Sequence, residues 1–83
     1  MPESETIVVF RILGVLAKAR NIEHALVLDE IADAARLGRR TAQRYMTVLE
    51  QAGAVRAEAT RVRPPGYTLT RYGLERLAGA PVG

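Results

Sequence analysis

The stretch Glu30-Ile31-Ala32-Asp33-Ala34-Ala35-Arg36-Leu37-Gly38-Arg39-Arg40-Thr41-Ala42-Gln43-Arg44-Tyr45-Met46-Thr47-Val48-Leu49-Glu50-Gln51-Ala52-Gly53 carries two helical periods with a short break between them. Ile31, Ala32 and Ala35 form the apolar side of a helix over about 28–35. Ala42, Met46, Leu49 and Ala52 recur at i, i+4, i+7 and i+10 and mark the inward side of a second helix, over about 39–52. Gly53 then stands where a glycine past a helix end takes left-handed backbone. What the second helix leaves outward is Arg39, Arg40, Gln43, Arg44 and Thr47, of which Arg40, Gln43, Arg44 and Thr47 fall on one face.

Toward the N-terminus, Ser4 is a helix cap and Glu5 an acid in the first turn of a helix over about 5–20. Its apolar residues spread over an arc of about 220° at 100° per residue, where one-sided packing needs little more than about 100°. Only Arg11, Gly14 and Lys18 read as wet. A helix this apolar is either sunk in its own domain, which is difficult in 83 residues, or shared with a second subunit. The second reading is favoured, with Val8, Phe10, Ile12 and Val15 at the homodimer contact. The apolar run from Ile7 to Leu16 is broken by Arg11 and Gly14 and falls short of the ~20 residues a bilayer span needs. Glu3 and Glu5 argue against a signal peptide, so a cytoplasmic setting without membrane contact is expected. His24 falls in a turn after the helix; a lone His without partner ligands gives no metal site. Ala25-Leu26-Val27 reads as a short strand or an extended lead-in to the next helix.

Toward the C-terminus, Val55 and Ala57 can meet Tyr67 and Leu69 across a hairpin over about 54–69. Its tip, Ala59 to Gly66, carries Arg61 and Arg63 in alternation and is stiffened by Pro64-Pro65. Thr70 can cap a last helix over about 71–78, anchored by Leu74 and Leu77, with a frayed end after it.

Helix, short helix, tight turn, helix, hairpin with a basic tip: this order resembles the winged helix-turn-helix of prokaryotic regulators. Glu30-Ile31-Ala32, Ala35, Leu37, Arg40-Thr41-Ala42, Arg44, Met46, Leu49-Glu50, Gly53 and Val55 fall in register with the family's pattern without a gap, and Gly66-Tyr67-Thr68-Leu69-Thr70 looks like its returning strand. Two positions depart from it. Arg36 stands where the family has Gly in the turn, and Gly38 replaces the Ser or Thr cap, as if the turn were re-formed around Gly38. The resemblance implies one domain over 1–83, mainly α with a small β-hairpin wing (α+β), that binds double-stranded DNA as a homodimeric transcriptional regulator.

The residue chemistry fits that role. A major groove ~12 Å wide admits a helix; Arg pairs bidentately with guanine and Gln with adenine. Arg40, Gln43 and Arg44 are assigned to bases, Arg39 and Thr41 to the backbone, and Thr47 to the same face. Tyr45 either meets a phosphate or packs against the wing, and Arg36 is a further backbone candidate. Arg61 and Arg63 lie on phosphates or in the minor groove by analogy, unless the tip is simply solvated.

Charge follows the same division. Residues 1–35 hold three bases and six acids, a net −3, whereas 36–71 hold eight arginines and two acids, a net +6. Codon bias could favour Arg over Lys, but it does not cluster the charge. With no Cys, one Ser, one His and two Asp, no nucleophile with base and orienter can be assembled, so neither an enzyme nor a cofactor is expected. The scattered glycines form no phosphate-cradling loop. Two other readings use the same fold: a weakly specific architectural, plasmid or viral DNA-binding protein, or a protein-interaction module.

Overall fold

The computed structural model describes residues 4–21, 25–58 and 66–79. In chain order these form α1 (Glu5–Asn21), β1 (Leu26–Val27), α2 (Leu28–Ala35), α3 (Arg39–Gln51), β2 (Val55–Glu58), β3 (Gly66–Leu69) and α4 (Arg71–Ala78). Ser4 Oγ accepts the Ile7 N–H at 3.2 Å and so begins α1. At α2 the cap is supplied from inside the helix: Glu30 Oε1 accepts the Val27 N–H at 3.0 Å. Valine has no acceptor to return, so only this half of a capping box exists.

The antiparallel sheet is ordered β1-β3-β2. Val55 opposes Leu69 and Ala57 opposes Tyr67, while Leu26 and Val27 pair with Tyr67 and Gly66. The hairpin read from the sequence therefore gains a third strand, and the segment before α2 is tied to the wing's inner strand.

One core joins Val8, Ile12, Leu13 and Leu16 of α1 to Ile31, Ala35, Met46, Leu49, Ala54, Val55 and Leu69. α1 packs against α2, β3 and α4 together, so its wide apolar arc is largely consumed inside its own domain. This removes Val8 and Ile12 from the homodimer contact expected from the sequence. Val8 is 5% exposed and Ile12 not at all, so neither reaches a second subunit; Phe10 and Val15 are half-buried. Nor is Arg11 simply wet, because its Nη1 donates to the Ala35 carbonyl at 3.1 Å and satisfies the end of α2.

The turn between α2 and α3 also differs from expectation. Arg36 itself takes the left-handed conformation (φ 59°, ψ 45°), whereas Gly38 is extended (φ −67°, ψ 154°) as the N-cap of α3. The turn is thus not re-formed around Gly38: Arg36 occupies the glycine's place in the glycine's conformation. α3 ends at Gln51, with Ala52 as an exposed cap and Gly53 at φ 83°.

Of Leu74 and Leu77, the two residues expected to anchor α4, only Leu77 packs against the core. Leu74 is exposed, Leu77 is half-buried against the core, and Gly73 makes the closest approach. A Cβ at Gly73 would run into the Ala54 carbonyl oxygen and Leu69. Thr70 fixes this docking, since its Oγ1 accepts the Gly73 N–H at 3.1 Å and donates to the Gly53 carbonyl at 2.6 Å.

Candidate nucleic-acid interface

α3 lies on the core by Ala42, Met46 and Leu49, and Arg40, Gln43, Arg44 and Thr47 are all exposed. Their spacing sets them on one face. The eight arginines of the basic segment separate into groups. Arg39 Nε lies 3.0 Å from Asp29 Oδ1, Arg56 Nη2 lies 2.8 Å from Glu58 Oε1, and Arg71 Nε lies 3.4 Å from Glu75 Oε1. Among the described residues, no carboxylate pairs with Arg36, Arg40 or Arg44. Arg61 and Arg63 lie outside the described residues. Among the described arginines of this segment, the positive charge without a carboxylate partner therefore gathers on the α2–α3 turn and on one face of α3.

The start of α3 adds to that field. Its first turn holds no acid, and Gly38 offers no side chain to cap it, so the first N–H groups remain open to an outside acceptor. Leu28, Arg39, Arg40 and Gln43 line a concavity of about 430 Å³ there. An anion at this position meets open N–H groups and guanidinium donors together.

The remaining assigned residues take distinct environments. Thr47 Oγ1 donates to the Gln43 carbonyl at 2.9 Å and accepts from Gln43 Nε2 at 3.2 Å. Thr47 thus holds the Gln43 amide, whose oxygen has no partner among the described residues. Thr41 is half-buried, and Tyr45 is half-buried against the core, sharing a cavity wall with Glu5 and Val9 of α1. Two residues escape sequence reasoning. Asp29 orients Arg39 from another helix, which no local spacing signals, and Val48, 57% exposed, is an apolar side chain flanking the charged face.

No protein-family model matches the chain, and no curated protein does. Solved structures do. A protein of Ralstonia eutropha JMP134 described as "a putative dna-binding protein" is 26% identical, with a TM-score of 0.72 over 87% of this chain and 91% of that one. The DNA-binding TubR fragment from Clostridium botulinum is 15% identical, with a TM-score of 0.69 over 94% of this chain and 96% of its own; at that identity the likeness is one of shape. The fold is a winged helix-turn-helix. In this winged-helix frame α2 and α3 are the helix-turn-helix pair, and β2 and β3 are the stem of the wing, held to the body by β1. Among the described residues, no helix is long and apolar enough to cross a membrane and no group of three His, Asp or Glu could hold a metal.

Proposed function

We propose that the protein binds double-stranded DNA with sequence preference, using α3 in the major groove. The observation that carries this reading is the single exposed face of Arg40, Gln43, Arg44 and Thr47, free of carboxylate partners among the described residues, on the helix that a helix-turn-helix presents outward. The likeness to the Ralstonia protein supports it. Arg40 and Arg44 supply bidentate donors suited to guanine. Gln43, held by Thr47, supplies the donor and acceptor pair suited to adenine. Arg39, Thr41, Arg36 and the Tyr45 hydroxyl serve the phosphates, and the open start of α3 takes one phosphate directly. Arg61 and Arg63, which the sequence sets between β2 and β3, would contribute phosphate or minor-groove contacts.

The same proposal makes the molecule a homodimeric, cytoplasmic, nucleoid-associated transcriptional regulator. With Val8 and Ile12 committed to the core, a contact through α1 would rest on Phe10 and Val15, joined by Ile7, which is 54% exposed. Two copies would place their recognition helices ~34 Å apart, one turn of DNA. Selection from a random duplex pool tests both parts: an enriched inverted repeat, with a steeper salt dependence of binding than one basic face explains, is the expected result. Equal affinity and equal salt slope on selected and random duplexes would remove the sequence-reading role, and a monomer in light scattering at micromolar concentration would remove the dimer.

A further inference from the structure

Beside the charged face of α3 runs a trough whose apolar residues the DNA reading does not use. Two cavities, of about 350 and 200 Å³, share Val9, Val48 and Leu49 in their linings and so adjoin one another between α1, α3 and α4. Leu13, Ala52 and Ala54 complete its apolar wall. The combined size is that of a small-molecule site, with an apolar body and few polar groups at its ends. Val48 at 57% and Tyr72 at 44% exposure stand open along it.

The two ends differ in charge. At one, Arg44 faces the trough together with Glu5, so an anion there meets repulsion as well as attraction. At the other, Arg76 has no acid beside it in the lining, and its Nη1 donates to the Tyr72 hydroxyl at 3.3 Å. That bond leaves the remaining guanidinium donors, and the proton of the tyrosine hydroxyl, for an outside acceptor.

We infer that this trough binds a small amphipathic carboxylate, with its carboxylate on Arg76 and Tyr72 and its apolar body along Val9, Leu13 and Val48. The end of that body lies against the stem of Arg44, a proposed base reader, so occupancy holds Arg44 toward α1 and lowers DNA affinity. This coupling rests on the proposed DNA reading; the binding site does not.

Octanoate and octanol, titrated below micelle-forming concentration into the isotope-labelled full chain, test the site by backbone NMR. Saturable shifts confined to Val9, Leu13, Val48, Ala52 and Tyr72 are expected for octanoate. Arg76→Gln is expected to weaken octanoate about tenfold and to leave octanol unchanged, while Val48→Glu removes both; each site is exposed, so the fold should persist. Non-saturable or dispersed shifts, or octanoate binding indifferent to Arg76→Gln, would overturn the site. So would shifts at these residues that grow with protein concentration alone, which would make the trough a contact between two copies. At saturation, octanoate should weaken DNA binding of the wild type at least threefold and leave Arg76→Gln unaffected. Octanoate binding without that change would overturn the coupling. A chain that takes octanoate but never binds DNA would sink the DNA reading and leave the site standing.

Discussion

Two turns of this molecule close with the same pair of hydrogen bonds and different residues at the critical position. After α2, Leu37 N donates to the Ala32 carbonyl at 2.9 Å and Arg36 N to the Asp33 carbonyl at 3.2 Å; after α3, Ala54 N donates to the Leu49 carbonyl at 2.9 Å and Gly53 N to the Glu50 carbonyl at 3.0 Å. Both are the paired closure that is completed by a left-handed residue just beyond the helix. Gly53 supplies it at φ 83° without a Cβ, whereas Arg36 supplies it at φ 59° with one, at a cost of roughly 1 to 2 kcal/mol. The second turn serves folding, since it leads into β2 and receives Thr70 and α4. The first sits at the corner of the helix-turn-helix, where a guanidinium without a described carboxylate partner replaces a residue that would relax the backbone. A strained position whose charge has no described partner fits the phosphate role proposed for Arg36.

The largest expected effect is on the support behind the Gly53 turn. Gly73→Ala drives a methyl into the Ala54 carbonyl and should lower the unfolding free energy by about 3 kcal/mol in a urea titration. A loss under about 1 kcal/mol would mean that α4 can move away, and that the turn does not depend on it. Gly53→Ala comes next. No atom crowds its Cβ direction, so the expected loss of about 1 to 2 kcal/mol would be backbone strain alone. For the other turn the sign reverses: Arg36→Gly should be more stable than Arg36→Ala by about 1 kcal/mol, while the two weaken DNA binding by the same factor. Equal stabilities would show that Arg36 is not strained. Smaller still is Asp29→Asn, which frees Arg39 from an exposed pair and should change stability by about 0.5 kcal/mol or less.

The same contrast explains what was legible in the sequence. Ala42, Met46 and Leu49 announce α3 because a helix resting on a core by one side repeats its apolar residues at a fixed spacing, and Gly53 marks its end in the usual way. Val55 opposite Leu69 is readable for the analogous reason in strands. α1 resists such reading. It touches α2, β3 and α4 at once, and an arc apolar on several sides looks from sequence like a surface awaiting a partner, which is how Val8 and Ile12 came to be expected at a subunit contact. β1 contributes two residues, too few for an alternation, and its pairing is fixed by β3 from 41 positions away in Leu26↔Tyr67 and 39 in Val27↔Gly66. The pairing of Arg39 with Asp29, the exposure of Val48 and the docking of Gly73 in place of Leu74 depend on how helices are set against one another. The candidate interface was therefore visible as a face of α3, while which of its arginines are free was not.

The central claim is that this face, and not the net charge of the chain, reads DNA. Arg40 and Arg44 are exposed and hold no described partner, so their joint replacement by Ala should leave stability within about 0.5 kcal/mol of the wild type. The most direct measurement is the affinity of that double variant for the duplex selected by the wild type, beside a random duplex of the same length and at the same salt. A fall of about a hundredfold on the selected duplex, far exceeding the fall on the random one, is the predicted result. Equal losses on both duplexes, or none, would contradict it.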